Sequence, residues 1–388
     1  MTFEEVTDRS AGPKKVRYAV VGAGWIAQAA FLPGVEHTGN SVVTALVTGD
    51  PVKARELAPM YDIENVYSYE QFDDLLASSQ IDAIYLSLPN WQHAEFAVRA
   101  LKAGIHVLCE KPMEVTEEKC QQILAAQKNS SAKLMVAYRL HFEPATLRAL
   151  ERIRAGEFGR VHHFSSVFAQ TVDPSNHRAQ HGFLAGPVFD MGPYPINAVR
   201  NIFQAEPEEI FAFSSRHPAA KLGDMDDTVA VTMRFPGERT AQFVVSYYGG
   251  DIDQYTVFGD KGWLEVNPGF QLQMPFAEYS MVEKKEDHKS FSETDHFGGE
   301  LKYFSDCILN NRDPEPDAEE GWLDVRVILA IQRSLESGKA EQLEPYGRKK
   351  KIDPQGQLQE LSKVRATELI DSAKPSDPEP PHGTEKAA

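Results

Sequence analysis

The sequence predicts an α/β protein in two parts, a helix-wrapped parallel sheet followed by an α/β domain with an open, mostly antiparallel sheet. Two observations carry this. From Val16 to about Leu140, short apolar runs alternate with helical patterns, as β-α-β units do. From His162 to Val266, segments rich in β-branched and aromatic residues follow one another across glycine-bearing turns.

In the first half the apolar runs are Val16–Val21, Val42–Val47, Ile81–Leu86, Ile105–Leu108 and Lys133–Ala137. They are short and nearly continuous, which suits strands buried on both faces. Ala94–Ala103 and Glu117–Lys128 read as helices. Gly104 stands where the first should end, and Thr116 followed by acidic residues opens the second.

In the second half, helices around Pro144–Arg154 and Pro195–Phe203 accompany six strand patterns. These are His162–Thr171, Glu209–Ser215, Thr228–Phe235, Ala241–Tyr248, Tyr255–Phe258 and Gly262–Val266. Helices covering one face of such a sheet leave the other free as an oligomer interface. Helical patterns return near Phe297–Asn310 and Glu319–Glu336. The divisions that follow are a flexible arm at 1–14, a first domain at 15–140, a second at 141–345 and a tail at 346–388. The tail is charged and Pro-rich, so it reads as largely disordered apart from a helix at Gln357–Ser372, with Arg348–Lys351 a solvated basic run.

The bulk numbers exclude several functions. The chain has 388 residues, 42% hydrophobic and 25% charged, an ordinary globular composition. A formal net charge of −17 argues against nucleic-acid or anionic-membrane partners. Cys109, Cys120 and Cys307 lie too far apart for zinc-ligand or disulfide spacing, so no metal is expected. The acidic N-terminus has no apolar export segment, and no window approaches the roughly 18 apolar residues of a membrane span, so the expected location is cytoplasmic.

Gly22-x-Gly24-x-x-Ala27 follows the first strand and opens a helix. This is the Rossmann dinucleotide fingerprint in its required context. Gly22 permits the turn, Gly24 lets a pyrophosphate approach, and Ala27 allows close packing, with Trp25 and Ile26 beside them. NAD sites usually carry an acidic residue at the end of the second strand. Here Thr48-Gly49 stands there and Lys53 follows one turn on, which suits a 2′-phosphate, so NADP is favoured over NAD. Asp50 is placed to cap the next helix. Leu88, Pro89, Asn90 and His93 close a further strand, where residues border a nicotinamide or simply make a turn.

Lys111 lies just past an apolar strand in Cys109-Glu110-Lys111-Pro112, at the sheet rim where ligands bind. A second motif, Gly186 to Asn197, sets Asp190 and Tyr194 four residues apart, with Asn197 three beyond. A helical turn would project them from one face. Oxidising an alcohol by hydride removal needs a group to take the hydroxyl proton. A tyrosine serves as that group only beside a cation, and Lys111 is the candidate cation, with Asp190 orienting substrate or lysine.

Gly22-x-Gly24-x-x-Ala27, Glu110-Lys111-Pro112 and Asp190-x-Gly192-x-Tyr194 together resemble the Gfo/Idh/MocA oxidoreductases, specifically the glucose–fructose oxidoreductase branch. Leu46–Lys53, Leu88–Asn90, Ala137–Arg139 and Asp190–Asn197 carry the same likeness, which spans about Lys14 to Ser337. It implies a Rossmann domain, a second domain whose open sheet commonly forms a homodimer or homotetramer, and hydride transfer between NADP and a sugar or polyol. By the same resemblance Lys111, Tyr194 and Asp190 are catalytic, and Glu110 and Arg139 join the cofactor site. Arg178 and Asn197 then join Lys111, Asp190 and Tyr194 around the sugar. Cofactor retained between the oxidation of one sugar and the reduction of another is one form of this activity. A dihydrodiol or simple aldose dehydrogenase with exchangeable cofactor, or a non-catalytic NADP(H) sensor, are the alternatives.

Overall fold

The computed structural model describes residues 14–365 and 367–378. The first sheet has six strands: β1 (Val16–Val21), β2 (Ser41–Val47), β3 (Asn65–Tyr67), β4 (Ala83–Leu86), β5 (His106–Glu110) and β6 (Leu134–Ala137). All are parallel, in the order β3-β2-β1-β4-β5-β6. The order reverses between β1 and β4, so a crevice opens at their carboxyl ends. The strands are apolar because both faces are covered. Ala19 and Val21 face the helices His93–Lys102 and Glu117–Lys128, while Tyr18 and Val20 face the opposite layer. The short β3 leaves no apolar run in the sequence, so Ile81–Leu86 holds the fourth strand.

The second sheet has nine strands: β7 (Val161–Ala169), β8 (Glu209–Ser215), β9 (Thr228–Phe235), β10 (Arg239–Ser246), β11 (Ile252–Gly259), β12 (Gly262–Val266), β13 (Ala277–Val282), β14 (Lys285–Ser290) and β15 (Glu341–Gln342). Only β7 and β10 pair in parallel. Along β9 buried and exposed residues alternate, so one face meets the core and the other meets solvent. Helices Pro144–Arg154, Pro193–Phe203 and Ala318–Ser337 cover the inner face. Phe213, Ile252, Phe258 and Tyr279 are exposed on the outer face. β14 was not evident in the sequence, being charged and exposed throughout, as suits an edge strand.

Two divisions need correction. The helix His296–Leu309 docks on the first sheet rather than the second: Phe297, Leu301 and Phe304 share a core with Tyr18 and Val20. The Tyr18 hydroxyl lies 2.8 Å from Ser305 Oγ. The chain therefore re-enters its first domain within 141–345. The described part of the tail is also packed rather than disordered. Its only α-helical segment is Pro354–Gln357, not Gln357–Ser372. Arg348 is buried against Glu315, Asp317 and Glu320 at 2.9–3.3 Å, and Ile352 and Ile370 are in the core. Those carboxylates need cations once desolvated, and the basic run supplies them. The arm expected at 1–14 lies outside the described residues, except Lys14. No helix among the described residues is long and apolar enough to cross a membrane.

Candidate active site

The glycine turn is built as its sequence requires. Gly22 has φ of +89°, and a Cβ there would fall 2.8 Å from the Ser87 carbonyl oxygen and 2.9 Å from Leu88 Cδ2. A Cβ on Gly24 would meet nothing within 4 Å, because that position opens onto a cleft. The helix after the turn widens at Ala27–Phe31, just ahead of Pro33, whose ring would crowd a regular α-turn. Ala27 is fully buried behind the turn, so it packs the helix rather than lining the cleft.

The cleft has a volume of about 710 Å³, ample for a dinucleotide. Gly22, Gly24, Trp25 and Ile26 form one wall, and Thr48, Gly49 and Lys53 the next. Leu88, Pro89, Asn90, Glu110, Lys111 and Arg139 continue it toward the second domain. Asp50 lines the cleft between Gly49 and Lys53. Its carboxylate caps the helix Pro51–Met60 through the Val52 and Lys53 N–H groups and lies 3.5 Å from Lys53 Nζ. The β2 end thus presents a hydroxyl and an ammonium, with the Asp50 carboxylate beside the ammonium.

His93 does not reach the cleft. It is completely buried, with Nδ1 3.0 Å from the Pro112 carbonyl and Nε2 2.9 Å from that of Leu88. Burial drives its pKa down to about 4, so the neutral ring donates to one carbonyl and abuts the other. It braces two cleft loops from behind. Asn90 caps no helix; its amide donates to the Leu184 carbonyl across the domain boundary.

At the inner end, residues from both domains converge. Lys111, delivered by β5, donates to the Asp190 backbone carbonyl at 2.7 Å and lies 3.3 Å from its carboxylate. Its ammonium also faces the Tyr194 ring, 4.9 Å from the centroid. Burial alone would lower the lysine's pKa, but the Tyr194 oxygen and the Asp190 and Glu110 carboxylates more than offset it, so the pKa is raised. Asp190 ends the helical turn Pro187–Asp190. Arg178 Nε (3.2 Å) and the Tyr247 hydroxyl (2.9 Å) reach its second oxygen. Burial opposes its charge, yet Lys111, Arg178 and Tyr247 hold its pKa at about 2. The Arg178 guanidinium also lies 5.7 Å from the Trp25 ring, linking this cluster to the glycine turn.

Tyr194 opens the helix Pro193–Phe203, which starts where Pro193 and Pro195 favour a first turn. A Cβ on Gly192 would collide with the Val188 carbonyl, so the glycine allows the chain to pass between the two helical segments. The Tyr194 ring packs on Phe168 and Phe270. Its hydroxyl accepts from Arg139 Nη2 at 3.2 Å, and Arg139 is itself held by the Phe270 carbonyl and His296.

Asn197 is not at the cleft. Its oxygen meets His141 at 2.6 Å, and its nitrogen donates to Glu320 (2.8 Å) and Asp324 (3.2 Å). It faces the helix Ala318–Ser337 in a buried ionic network with Arg200. Spacing alone suggested the substrate side, but its polar atoms are all engaged. Sequence reasoning also missed Tyr247, which no motif marks, and the cleft-lining Ser372 and Pro375 of the tail.

Residues 16–138 match the model of the oxidoreductase family with an NAD-binding Rossmann fold, and residues 146–265 match the GFO/IDH/MocA C-terminal domain. The chain belongs to the Gfo/Idh/MocA oxidoreductase family. Among curated relatives of this Gfo/Idh/MocA protein, a D-xylose 1-dehydrogenase (NADP(+)) of Haloarcula marismortui is 30% identical, over 85% of this chain and 94% of its own. A trans-1,2-dihydrobenzene-1,2-diol dehydrogenase of Bos taurus is 26% identical, over 71% and 79%. Among solved structures, the aldose–aldose oxidoreductase of Caulobacter crescentus, complexed with glycerol, is 31% identical with a TM-score of 0.80. That match covers 85% of this chain and 100% of the other.

Proposed function

We propose that the protein is an NADP-dependent sugar oxidoreductase, moving hydride between the nicotinamide and an aldose, ketose or related polyol, with the cofactor kept between two sugar half-reactions. The observation that carries this is the meeting of Lys111, Asp190 and Tyr194 from two domains at the inner end of the dinucleotide cleft. The names of the xylose dehydrogenase and aldose–aldose oxidoreductase relatives support the substrate class, and the former supports NADP.

When bound, NADP supplies the hydride acceptor or donor; the chain supplies the proton and the alignment. As phenolate, Tyr194 takes the substrate hydroxyl proton in one direction, and as phenol it returns it in the other. Arg139 steadies the phenol oxygen. Two of the three Lys111 N–H bonds are directed to Asp190, leaving one for a substrate oxygen. Asp190, fixed in its charged form, and Arg178 orient neighbouring hydroxyls. The outer sheet face, with Phe213 and Phe258 exposed, is the proposed homodimer or homotetramer interface. Three free, buried cysteines suit a cytoplasmic setting.

The test is direct. Protein loaded with NADPH is mixed with aldoses and ketoses, and NADPH absorbance is followed. Bleaching that is restored by a second sugar, without added nucleotide, is the expected result. A requirement for free NADP in every turnover favours the simple dehydrogenase, and no response to any sugar, polyol or diol favours the sensor.

A further inference from the structure

We propose that residues 367–375 form a third wall of the dinucleotide cleft, a strap that retains the nucleotide; the inference rests on the dinucleotide reading above. Ser372 and Pro375 line the cleft directly. The strap is tied down on both sides of it.

On the first domain the anchor is Gln28, buried one turn beyond the glycine turn. Its amide oxygen accepts from the Ile370 N–H at 2.7 Å, and its Nε2 donates to the Ile370 carbonyl at 2.9 Å. The same Nε2 donates to the Ala23 carbonyl at 2.8 Å, so one side chain holds the strap and the turn together. The Gln28 carbonyl accepts from Thr367 Oγ1 at 3.0 Å, and the Ile370 side chain is buried in the first-domain core. These are complementary, desolvated hydrogen bonds, which solvated tails do not make.

Beyond Ile370 the chain turns at Asp371, with φ of +44°. There the Asp371 carboxyl stands beside that of Asp50, at the Thr48 and Lys53 end of the cleft. On the second domain the Pro375 carbonyl accepts from the Asp173 N–H at 2.9 Å, and the Lys374 carbonyl from Asn176 Nδ2 at 3.3 Å. Asn176 is completely buried, and its oxygen accepts from the Arg178 N–H. The strap thus crosses from the glycine turn to the loop that places Arg178 on Asp190. A nucleotide leaving on this side must first break those contacts.

The experiment needs no sugar. NADPH-loaded full-length protein, a chain ending at Arg365 and full-length Ile370→Asp are each mixed with excess NADP, and the loss of bound-NADPH fluorescence is timed. The shortened chain is expected to release NADPH about tenfold to a hundredfold faster, as loss of several buried hydrogen bonds would give, with Ile370→Asp between. Equal release rates in the full-length and shortened chains overturn the proposal; if the shortened chain does not fold, an unchanged rate in Ile370→Asp does so. Faster release together with no sugar turnover keeps the strap and removes the sugar reading. No NADPH binding by the intact protein removes both.

Discussion

Arg139 donates to the Tyr194 hydroxyl at 3.2 Å and lies across its ring, 5.0 Å from the centroid, whereas Lys111 makes no hydrogen bond to that hydroxyl and faces the ring at 4.9 Å. The sequence assigns Lys111 as the cation beside the phenol. The structure gives the closer contact to an arginine, whose charge is permanent. Lys111 donates instead to Asp190.

Removing the phenol oxygen should therefore be felt in chemistry and not in nucleotide binding. Tyr194→Phe is expected to lower kcat by about 10²- to 10⁴-fold with the NADP Kd moved less than about twofold. Steady-state kinetics and fluorescence titration check it. In that background Arg139→Met should lower kcat by less than it does in the wild type, since the phenol oxygen it contacts is already gone.

Asp190 gives a pH signature. Its folded pKa of about 2 lies below the ordinary carboxylate value, so its ionised form stabilises the fold above about pH 4. That stabilisation, about 2 kcal/mol, is lost as pH falls toward 2. Asp190→Asn should be less stable than wild type at pH 7, and the gap should close between about pH 4 and pH 2. Urea denaturation across that range measures it; a constant gap would refute the ion-pair account.

The two cleft glycines should fail differently. Gly22→Ala forces a Cβ against the Ser87 carbonyl at positive φ and should cost about 1–3 kcal/mol in thermal or urea unfolding. Gly24→Val points into open space, so the apo protein should melt as wild type does while NADP binding is lost. Calorimetry of both variants, with and without NADP, separates the cases.

Asn197→Ala should act as a structural lesion. It leaves His141, Glu320 and Asp324 short of partners, at about 2–4 kcal/mol. The sugar KM should stay within about twofold. A large KM change with full stability would return Asn197 to the substrate site.

The outer face of the second sheet can be tested by charge. Phe213→Lys combined with Phe258→Lys should shift sedimentation from the assembled to the single-chain mass without altering the circular dichroism spectrum. An assembly that survives both substitutions places the interface elsewhere.

What could be read from the sequence was what local spacing encodes. The glycine turn, Lys111 after its strand, and the Asp190–Tyr194 pair each announce themselves within a few residues. Their convergence followed once the order of strands was clear. Asn197 lies off the cleft because spacing says which turn a side chain occupies, not which neighbour claims its hydrogen bonds. The tail has the composition of a solvated chain, which hides its packing. Its partners, Gln28, Glu315 and Glu320, lie far away in sequence, and only the fold brings them to it.

The return of His296–Leu309 to the first sheet bears on how the molecule is made. As the chain leaves the ribosome, the side of the first sheet bearing Tyr18 and Val20 has no Phe297, Leu301 or Phe304 to cover it until most of the protein has been synthesised. The nucleotide-binding half is finished by a segment translated after nearly all of the second sheet. Birth order and spatial order are therefore opposed here, and a nascent chain stalled before His296 would present its oldest strands as its stickiest surface.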